Sequence, residues 1–394
     1  MKSAGNKVIL PNSFEKSKRE KRKYPVCLYL LILFTLALLM SAAFIFQFRN
    51  ILNNSVENEI SSGASKITDR NPQLRTGPRA SRYAYVTLIH GIDSSLKYRG
   101  FLYNAIIMIT SLRKSGSTAD FIALVGFAAN FTKDQFKDDL GLLESVGIII
   151  HYLPRLVNEN LAVGFAEMAL LKVTPFSFTQ YEKIQFFDGD IMPKKNMDCY
   201  FKLDVNFFCT GSASPLNSGW YLAIPNEKVY NELREYAVGR FSKSWDKKIG
   251  WGIPIPEGMK FSSGKPVTLW DFNGANLDQG LFTHYFILTN GNIGLIDDRE
   301  IRMYHRTPGG VEENPTESIV KQTEVLSCCK GKNPKSMFAH FTGSSKPWLQ
   351  DSSKSKNGNL KLWGAMLDEL KLPYNSSNIF NQGFKPPLGY WAKN

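Results

Sequence analysis

The chain has 394 residues, 43% of them hydrophobic, so it is long enough to bury a sizeable core and is not a disordered protein. Its formal net charge of +13 is concentrated near the N-terminus: residues 1–25 carry eight Lys or Arg and two Glu, and residues 49–82 carry six basic and three acidic side chains. The remainder shows no basic stripe interleaved with aromatic residues, which argues against a nucleic-acid partner.

An uncharged apolar run, residues 25–48, separates these two basic segments and is long enough to cross a bilayer as one helix. The basic cluster before it predicts that the N-terminus stays in the cytoplasm. A cleaved signal peptide is the alternative, because Ser41, Ala42 and Ala43 resemble a cleavage site, but the apolar run continues beyond them. We therefore expect a retained signal-anchor.

The resulting topology is that of a single-pass type II membrane protein. Residues 1–25 form the cytoplasmic basic tail, residues 26–48 the transmembrane helix and residues 49–82 a flexible stem, which leaves the rest of the chain in the lumen of the Golgi or the endoplasmic reticulum. Acceptor triplets for N-glycosylation at Asn53, Asn130 and Asn375 fit that side of the membrane. The four cysteines beyond the span could form disulfides there, in a pairing that the sequence does not show.

Ordered structure is predicted to begin with a strand at residues 83–90. Helical spacing follows at 101–113 and 132–145, and short apolar runs at 121–127 and 146–153 are typical of strands buried on both faces. This alternation of strand and helix predicts an α/β fold whose mostly parallel sheet is covered by helices on both faces.

The same alternation continues through the middle of the chain. A helix near residues 163–174 precedes the strand KIQFF, further strands are expected at 207–211 and 220–224, and a helix runs from about Glu227 to Tyr236. Residues 237–270 match no pattern, and are either an acceptor-binding loop or a structural insertion. Residues 351–394 contain a last amphipathic helix, LKLWGAMLDELK, and an irregular tail that is expected to pack on or flank the main domain.

Two carboxylates follow the KIQFF strand directly, in QFFDGDIMP at residues 185–193. Gly189 supplies a turn between Asp188 and Asp190, so the acids lie at the carboxyl end of a strand, where ligands bind in open α/β sheets. Paired oxygens at that edge suit a hard divalent cation shared with phosphates. An ordinary acidic turn is the alternative interpretation.

Several stretches in order resemble the family 8 glycosyltransferases, the glycogenin-like enzymes that use nucleotide sugars. They lie within residues 83–350: AYVTL at 84–88, LLKVTPFSFTQYEKIQFFDGD at 170–190, NSG at 217–219, LDQGLF at 277–282 and HFTGSSKPW at 340–348. The resemblance implies the GT-A nucleotide-diphospho-sugar transferase fold, with a Rossmann-like sheet. It also implies a divalent cation, usually Mn²⁺, and transfer that retains the anomeric configuration of a nucleotide sugar, usually a UDP-sugar.

The resemblance also assigns roles to individual residues. Asp188, Asp190 and His340 would be the metal ligands, and Asp278 and Gln279 would carry the catalytic roles. Asp278 is the candidate for a nucleophile or for a group that stabilises the positive sugar, and the sequence does not choose between them. Contacts to the donor would come from the remaining matching positions: Leu88, Lys172, Asn217, Ser218, Gly219, Gly343 and Lys346.

The chain departs from the family after AYVTL, where IHGIDSSLKYRG replaces the usual nucleotide contacts, so recognition of the base is less well supported than recognition of the phosphates. The leading hypothesis is a glycosyltransferase that moves a hexose or related sugar to a glycan, protein or small hydroxyl acceptor. The alternatives are a catalytically silent membrane protein that binds sugar nucleotides or glycans, and a hydrolase that uses the paired acids.

Overall fold

The computed structural model describes residues 81–128, 130–154, 165–211, 215–241, 244–259, 265–290, 293–296, 301–307, 310–313 and 337–383. The predicted tail, the predicted membrane anchor and nearly all of the predicted stem lie outside these residues. Within the described ranges, no helix is both long enough and apolar enough to span a membrane.

One half of the main sheet is parallel. It consists of β1 (Tyr83–Ile92), β2 (Asp120–Phe127), β3 (Ile149–Tyr152) and β4 (Lys183–Phe187), in the spatial order β4-β1-β2-β3. Helix α1 (Arg99–Lys114) connects the first two strands, and a 3₁₀ turn followed by α2 (Lys137–Ser145) leads to the third. The predicted alternation of strand and helix is confirmed here.

The other half of the sheet is mixed. It adds β6 (Phe207–Thr210), β7 (Asn217–Ala223), β8 (Ile293–Ile296), β9 (Ile301–Thr307) and β10 (Gly310–Glu313), and completes the order β10-β9-β8-β6-β7-β4-β1-β2-β3. Strand β7 runs antiparallel to both β4 and β6. Because it is antiparallel, β7 begins where β4 ends, which brings two distant segments of the chain to one edge.

Helices cover both faces of the sheet, as expected. One face carries α1, α2, α6 (Gly358–Glu369) and α7 (Ser376–Gln382), and the other carries α3 (Phe165–Leu170), α4 (Glu227–Phe241) and α5 (Asp278–Phe282), which continues as a π-helical turn, Thr283–Thr289. Side chains of β1 alternate between the two cores: Tyr85 and Ile89 face one, Val86 and Leu88 the other. This is the period of two that a strand buried on both faces requires.

A second, two-stranded sheet pairs β5 (Ile191–Pro193) with β11 (Phe338–His340) in antiparallel register. Strand β5 follows the acid pair immediately, and His340 lies opposite Ile191. The small sheet therefore places His340 beside the acids, although almost 150 residues separate it from Ile191 in the chain.

Two local predictions were wrong. The helix expected near residues 163–174 ends at Leu170 and continues as a 3₁₀ turn, Leu171–Ser177, because Pro175 has no N–H for an α-helical bond and disfavours the α conformation in the residue before it. Strand β3 is not buried on both faces, because it is the edge strand, and Ile149 and Tyr152 are exposed.

The C-terminal helix packs on the main domain. Leu360, Trp363 and Leu367 of α6 are buried in the same core as α1, and Trp363 has no exposed surface. The α6 helix thus belongs to the core on which α1 packs.

Candidate active site

The acid pair lies at the carboxyl end of β4. The backbone N–H of Asp188 donates to the carbonyl of Gly219 at 2.7 Å, which extends the pairing of β4 with β7, and Ile191 N donates to the Asp188 carbonyl at 2.9 Å, which closes a tight turn. Asp188 is half-buried and Asp190 is buried. The strand edge predicted from the sequence is where the structure places both carboxylates.

His340 lies against both acids. Its Nε2 is 3.3 Å from Oδ1 of Asp190 and 3.9 Å from Oδ2 of Asp188, and Phe341 N donates to the Asp190 carbonyl at 2.9 Å. Gly219 makes room for the imidazole, because a Cβ at this position would lie 2.4 Å from His340 Cε1. Side chains larger than glycine are therefore incompatible with this position of the ring.

Lys346 reaches the same carboxylate from the loop after β11. Gly343, with φ of +65°, turns the loop through the left-handed conformation that glycine adopts without strain. The Lys346 ammonium forms an ion pair with Oδ2 of Asp190 and donates to the carbonyl of Phe341 at 2.6 Å. The lysine ammonium is thus held beside the acid pair.

A second cluster adjoins the first through Lys172. Its Nζ lies 2.6 Å from Oδ1 of Asp188 and 2.7 Å from Oδ2 of Asp278, and the Ser218 hydroxyl donates to that same Asp278 oxygen at 2.5 Å. The hydroxyl of Tyr221 donates to the Lys172 carbonyl at 2.6 Å and fixes the 3₁₀ turn. Asp278 is buried, and two donors hold its carboxylate in one orientation.

The remaining predicted positions lie close by. The Asn217 side chain accepts from Gly219 N at 2.9 Å, and Asn217 and His340 both line a cavity of about 320 Å³. Leu88 is a core residue whose carbonyl would lie 2.9 Å from a Cβ on Gly189, so the acid turn passes close to its backbone. Oε1 of Gln279 is buried without a hydrogen-bond partner in the described part of the chain.

Burial and neighbouring charges shift the pKa values of the ionisable side chains in the site. Burial raises the pKa of Asp188 to about 6, with Asp190 adding to the rise and Lys172 opposing it. Burial alone would raise the pKa of Asp190, but His340 and Lys346 together hold it below its usual value. Burial would lower the pKa of Lys172, yet Asp188 and Asp278 outweigh burial and raise it. Lys172 is therefore a permanent cation between two acids.

The residues present fit a divalent cation. One ligand atom from each of Asp188, Asp190 and His340 lies within 4.8 Å of the others. Oδ1 of Asp190 is buried, and the only contact described for it is the one with His340 Nε2 at 3.3 Å, which lacks standard hydrogen-bond geometry. A cation between the two would satisfy an oxygen that is costly to leave without a well-formed partner. Two carboxylates and an imidazole are a donor set that accommodates Mn²⁺ as well as other first-row cations.

No family model matches the chain. It is similar, however, to two curated proteins of Arabidopsis thaliana: inositol phosphorylceramide glucuronosyltransferase 1, with 29% identity over 160 residues and 40% of this chain, and UDP-glucuronate:xylan alpha-glucuronosyltransferase 1, with 26% identity over 188 residues and 46% of this chain. These relatives are glycosyltransferases. The chain spans 27% of the length of each.

Two solved glycosyltransferases align with much of the chain at low similarity. The galactosyltransferase LgtC in complex with donor and acceptor sugar analogues aligns over 73% of this chain and 95% of its own, at 9% identity and a TM-score of 0.40. The glycosyltransferase GlyE of Streptococcus pneumoniae TIGR4 aligns over 76% of this chain and 63% of its own, at 14% identity and a TM-score of 0.40.

Sequence reasoning missed one buried residue that supports the acid turn. Asn104 of α1 donates from its amide to the carbonyl of Gly189 at 2.8 Å and to the carbonyl of Ile191 at 2.7 Å, so it holds the backbone on both sides of Asp190. An asparagine within the apolar run of α1 was a signal in the sequence, because a buried amide requires partners. The identity of those partners was not readable from spacing.

Proposed function

We propose that this chain is a metal-dependent, retaining glycosyltransferase that moves a hexose or related sugar from a nucleotide sugar to a glycan or other hydroxyl acceptor. The convergence of Asp188, Asp190 and His340 beside Lys346 carries the proposal, since it joins a cation site to a fixed ammonium at one sheet edge. The similarity to glucuronosyltransferases supports it. UDP-glucuronate, named in three of the similar proteins, is the first donor to test, and UDP is the proposed nucleotide.

Each cluster would serve a different part of the donor. A divalent cation held by Asp188, Asp190 and His340 would supply Lewis-acid stabilisation of the leaving diphosphate. Lys346 would place a further positive charge there, as lysines do at phosphates. During transfer the bond from the anomeric carbon to the phosphate oxygen breaks and its electron pair leaves with the diphosphate. The acceptor oxygen bonds to the same carbon, and its proton passes to the departing diphosphate.

Asp278 would act on the sugar. Lys172 and Ser218 hold its carboxylate, so it meets a developing positive charge without having to reorganise. It would serve either as the nucleophile of a double displacement or as a shield for a short-lived positive sugar. Gln279, whose side-chain oxygen has no hydrogen-bond partner within the described ranges, would contact the same ring.

The domain is proposed to lie in the lumen of the secretory pathway, attached through residues 26–48. The uncharged run in the sequence supports this topology, as do the disulfide at Cys199 and the exposed sequon asparagine Asn130. Full-length protein should remain in the membrane fraction after carbonate extraction and should shift in gel mobility after glycosidase treatment. Release by carbonate alone would contradict the anchor.

The experiment for the activity uses the full chain purified in detergent, with Mn²⁺, a set of radiolabelled UDP-sugars led by UDP-glucuronate, and glycan acceptors. Wild-type protein should give labelled glycoside, and Asp190→Asn should lower turnover by about 100-fold or more, because a charged ligand is lost. Asp134→Asn, at an exposed surface position, is the matched control.

The same assay separates the alternatives. Unchanged turnover in Asp190→Asn, or full activity in excess chelator, contradicts metal-dependent transfer. Donor binding without product indicates a silent binding protein. Release of free sugar in preference to transfer, with acceptor present, indicates a hydrolase.

A further inference from the structure

A second cavity, of about 580 Å³, is lined by neither acid of the pair. It is bounded by α4, by residues 244–252 and by the end of the π-helical turn, and none of its lining residues lines the cavity beside His340. Its volume falls in the range of small-molecule pockets, about 300–1,000 Å³. The segment that forms one wall belongs to residues 237–270, which the sequence left without a function.

Aromatic rings form much of the wall. Tyr236 and Trp245 are half-buried, so part of each ring remains accessible, and Trp251 packs edge-on to Trp245 with centroids 5.8 Å apart. The indole N–H of Trp245 donates to the carbonyl of Trp270 at 3.1 Å, and the guanidinium of Arg240 lies 5.0 Å from the Trp245 ring centre. These contacts fix the ring, and a fixed aromatic surface suits the apolar face of a sugar at low entropic cost.

Carboxylates supply the polar part of the wall. Glu232 accepts a hydrogen bond from the Tyr285 hydroxyl, Asp246 accepts one from Lys248 N at 2.7 Å, and Glu235 is exposed at the rim. Carboxylate oxygens only accept hydrogen bonds at neutral pH, so they select ligands rich in hydroxyl donors.

The charge of the wall excludes the donor. The lining side chains include three carboxylates and one guanidinium, that of Arg240, so their net charge is negative even though Lys228 lies 3.8 Å from Glu232. Such a wall disfavours a diphosphate. A neutral polyhydroxy compound is the ligand that fits both the aromatic rings and the acids.

The cavity is tied to the segment that leads into Asp278. Trp251 Nε1 donates to the carbonyl of Ala275 at 2.8 Å, and Arg240 Nε donates to the carbonyl of Asn276 at 3.3 Å. Two peptide units separate Asn276 from Asp278, so their Cα atoms are at most about 7.6 Å apart. Two side chains of the cavity wall therefore contact the segment that leads directly into the carboxylate proposed to act on the donor sugar.

We propose that this cavity binds the acceptor, and that the acceptor presents a neutral oligosaccharide chain whose reacting hydroxyl extends toward Asp278. The role of the bound glycan as acceptor rests on the proposed function. The binding of a neutral glycan in this cavity does not. Trp245 and Tyr236 would contact ring faces, and Glu232 and Glu235 would accept hydrogen bonds from hydroxyls.

Binding is tested without donor or metal on the full chain in detergent. The probes are the methyl glycosides of glucose, galactose, mannose and xylose, together with xylotriose and mannotriose, followed by tryptophan fluorescence and saturation-transfer NMR. At least one probe should bind, and Trp245→Ala should weaken it about tenfold, as loss of a central aromatic contact does. Glu235→Gln, at an exposed position that packing does not fix, should weaken the same probe without changing the melting temperature.

Two matched variants serve as controls: Tyr152→Ala removes an exposed aromatic ring on β3, and Glu144→Gln removes an exposed acid on α2. Neither should change probe affinity. The proposal is overturned if none of the probes binds, if both Trp245→Ala and Glu235→Gln leave binding unchanged, or if UDP alone displaces the sugar.

The outcome is separable from that of the proposed function. Asp190→Asn should retain probe binding while it loses transfer, and Glu235→Gln should raise the acceptor KM while leaving the donor KM unchanged. If the wild type transfers no sugar but still binds a probe through Trp245, the transferase proposal fails and the glycan site stands.

Discussion

The side-chain oxygen of Asn104 accepts a hydrogen bond of 2.9 Å from the indole N–H of Trp363. Both amide hydrogens of Asn104 are used on the carbonyls of Gly189 and Ile191, so every polar group of this buried side chain is paired. Helix α6 thereby holds the Asn104 amide in place, and that amide holds the turn around Asp190. A helix outside the region of family resemblance thus supports the candidate metal site.

Replacing Asn104 with Leu should weaken Mn²⁺ binding by about tenfold or more, because residues that orient metal ligands commonly matter to that extent. The two carbonyls would be left buried without donors, at about 1–3 kcal/mol each in stability. Mn²⁺ affinity from electron paramagnetic resonance and the melting temperature are the measurements. Trp363→Phe, which removes the indole donor and leaves a small cavity in the core but keeps Asn104, should weaken Mn²⁺ binding less. Unchanged affinity in folded Asn104→Leu would contradict the positioning role.

Gly219→Ala should displace His340. The added Cβ would lie 2.4 Å from Cε1 of the imidazole and 2.9 Å from Oδ1 of Asn217, so the ring has to move away from the acids. We expect Mn²⁺ affinity to fall by about tenfold while the fold is kept. Gly141→Ala on α2 is the control, because nothing lies within 4 Å of its Cβ and alanine favours a helix. Equal Mn²⁺ affinity in the two variants would show that His340 does not ligate.

The strand edge carrying Asp188 and Asp190 was predictable because it depends only on local pattern: an apolar strand followed by a turn. That His340 lies near the two acids was predictable only from the order of the family motifs. The pairing of β11 with β5 cannot be inferred from the spacing of residues in the sequence. Lys172 was expected on a helix, and Pro175, visible in the sequence, could have shown that the helix ends before it.

The contacts of Asn104, Trp363 and Trp251 were not predictable, because each joins elements far apart in the chain. The spacing of hydrophobic residues predicts that α6 has a buried face. It does not predict which acceptor an indole N–H on that face will bind. Long-range polar pairing depends on tertiary geometry, which a single sequence does not encode in any local pattern.

His284 should make stability depend on pH. The side chain is 3% exposed, packs 4.8 Å from the ring centre of Tyr236, and burial lowers its pKa to about 4. In the unfolded chain the pKa of His284 is about 6.5, so the unfolded state takes up the proton first as pH falls. The free energy of unfolding is therefore unaffected by the titration of His284 above pH 6.5 and decreases as pH falls toward 4. Between pH 7 and pH 5 the wild type should lose about 2 kcal/mol more than His284→Phe, which does not titrate.

Urea unfolding at the two pH values measures this difference. The carboxylates and His151 titrate in both proteins, so they cancel in the comparison. Parallel loss of stability in wild type and His284→Phe would show that the imidazole is already protonated, or solvated, in the folded state.

The stereochemistry of transfer tests the placement of Asp278. Lys172 and Ser218 hold its carboxylate in one orientation, which suits a group that meets positive charge at the anomeric carbon. A double displacement through Asp278 and attack from the leaving-group face with Asp278 as a shield both preserve the anomeric configuration. From an α-linked donor, the product should therefore be an α-glycoside.

Asp278→Asn should lower kcat by about 100-fold or more while changing donor affinity far less, because a carboxylate that acts when the sugar is most positive stabilises the transition state more than the bound donor. Asp271→Asn, an exposed acid seven residues earlier, should leave both parameters unchanged. The anomeric proton coupling of the product, measured by NMR, decides the stereochemistry. A β-linked product from an α-linked donor would rule out both roles for Asp278, since either role requires retention. Equal losses of donor binding and kcat/KM would instead assign Asp278 to holding the ground-state sugar.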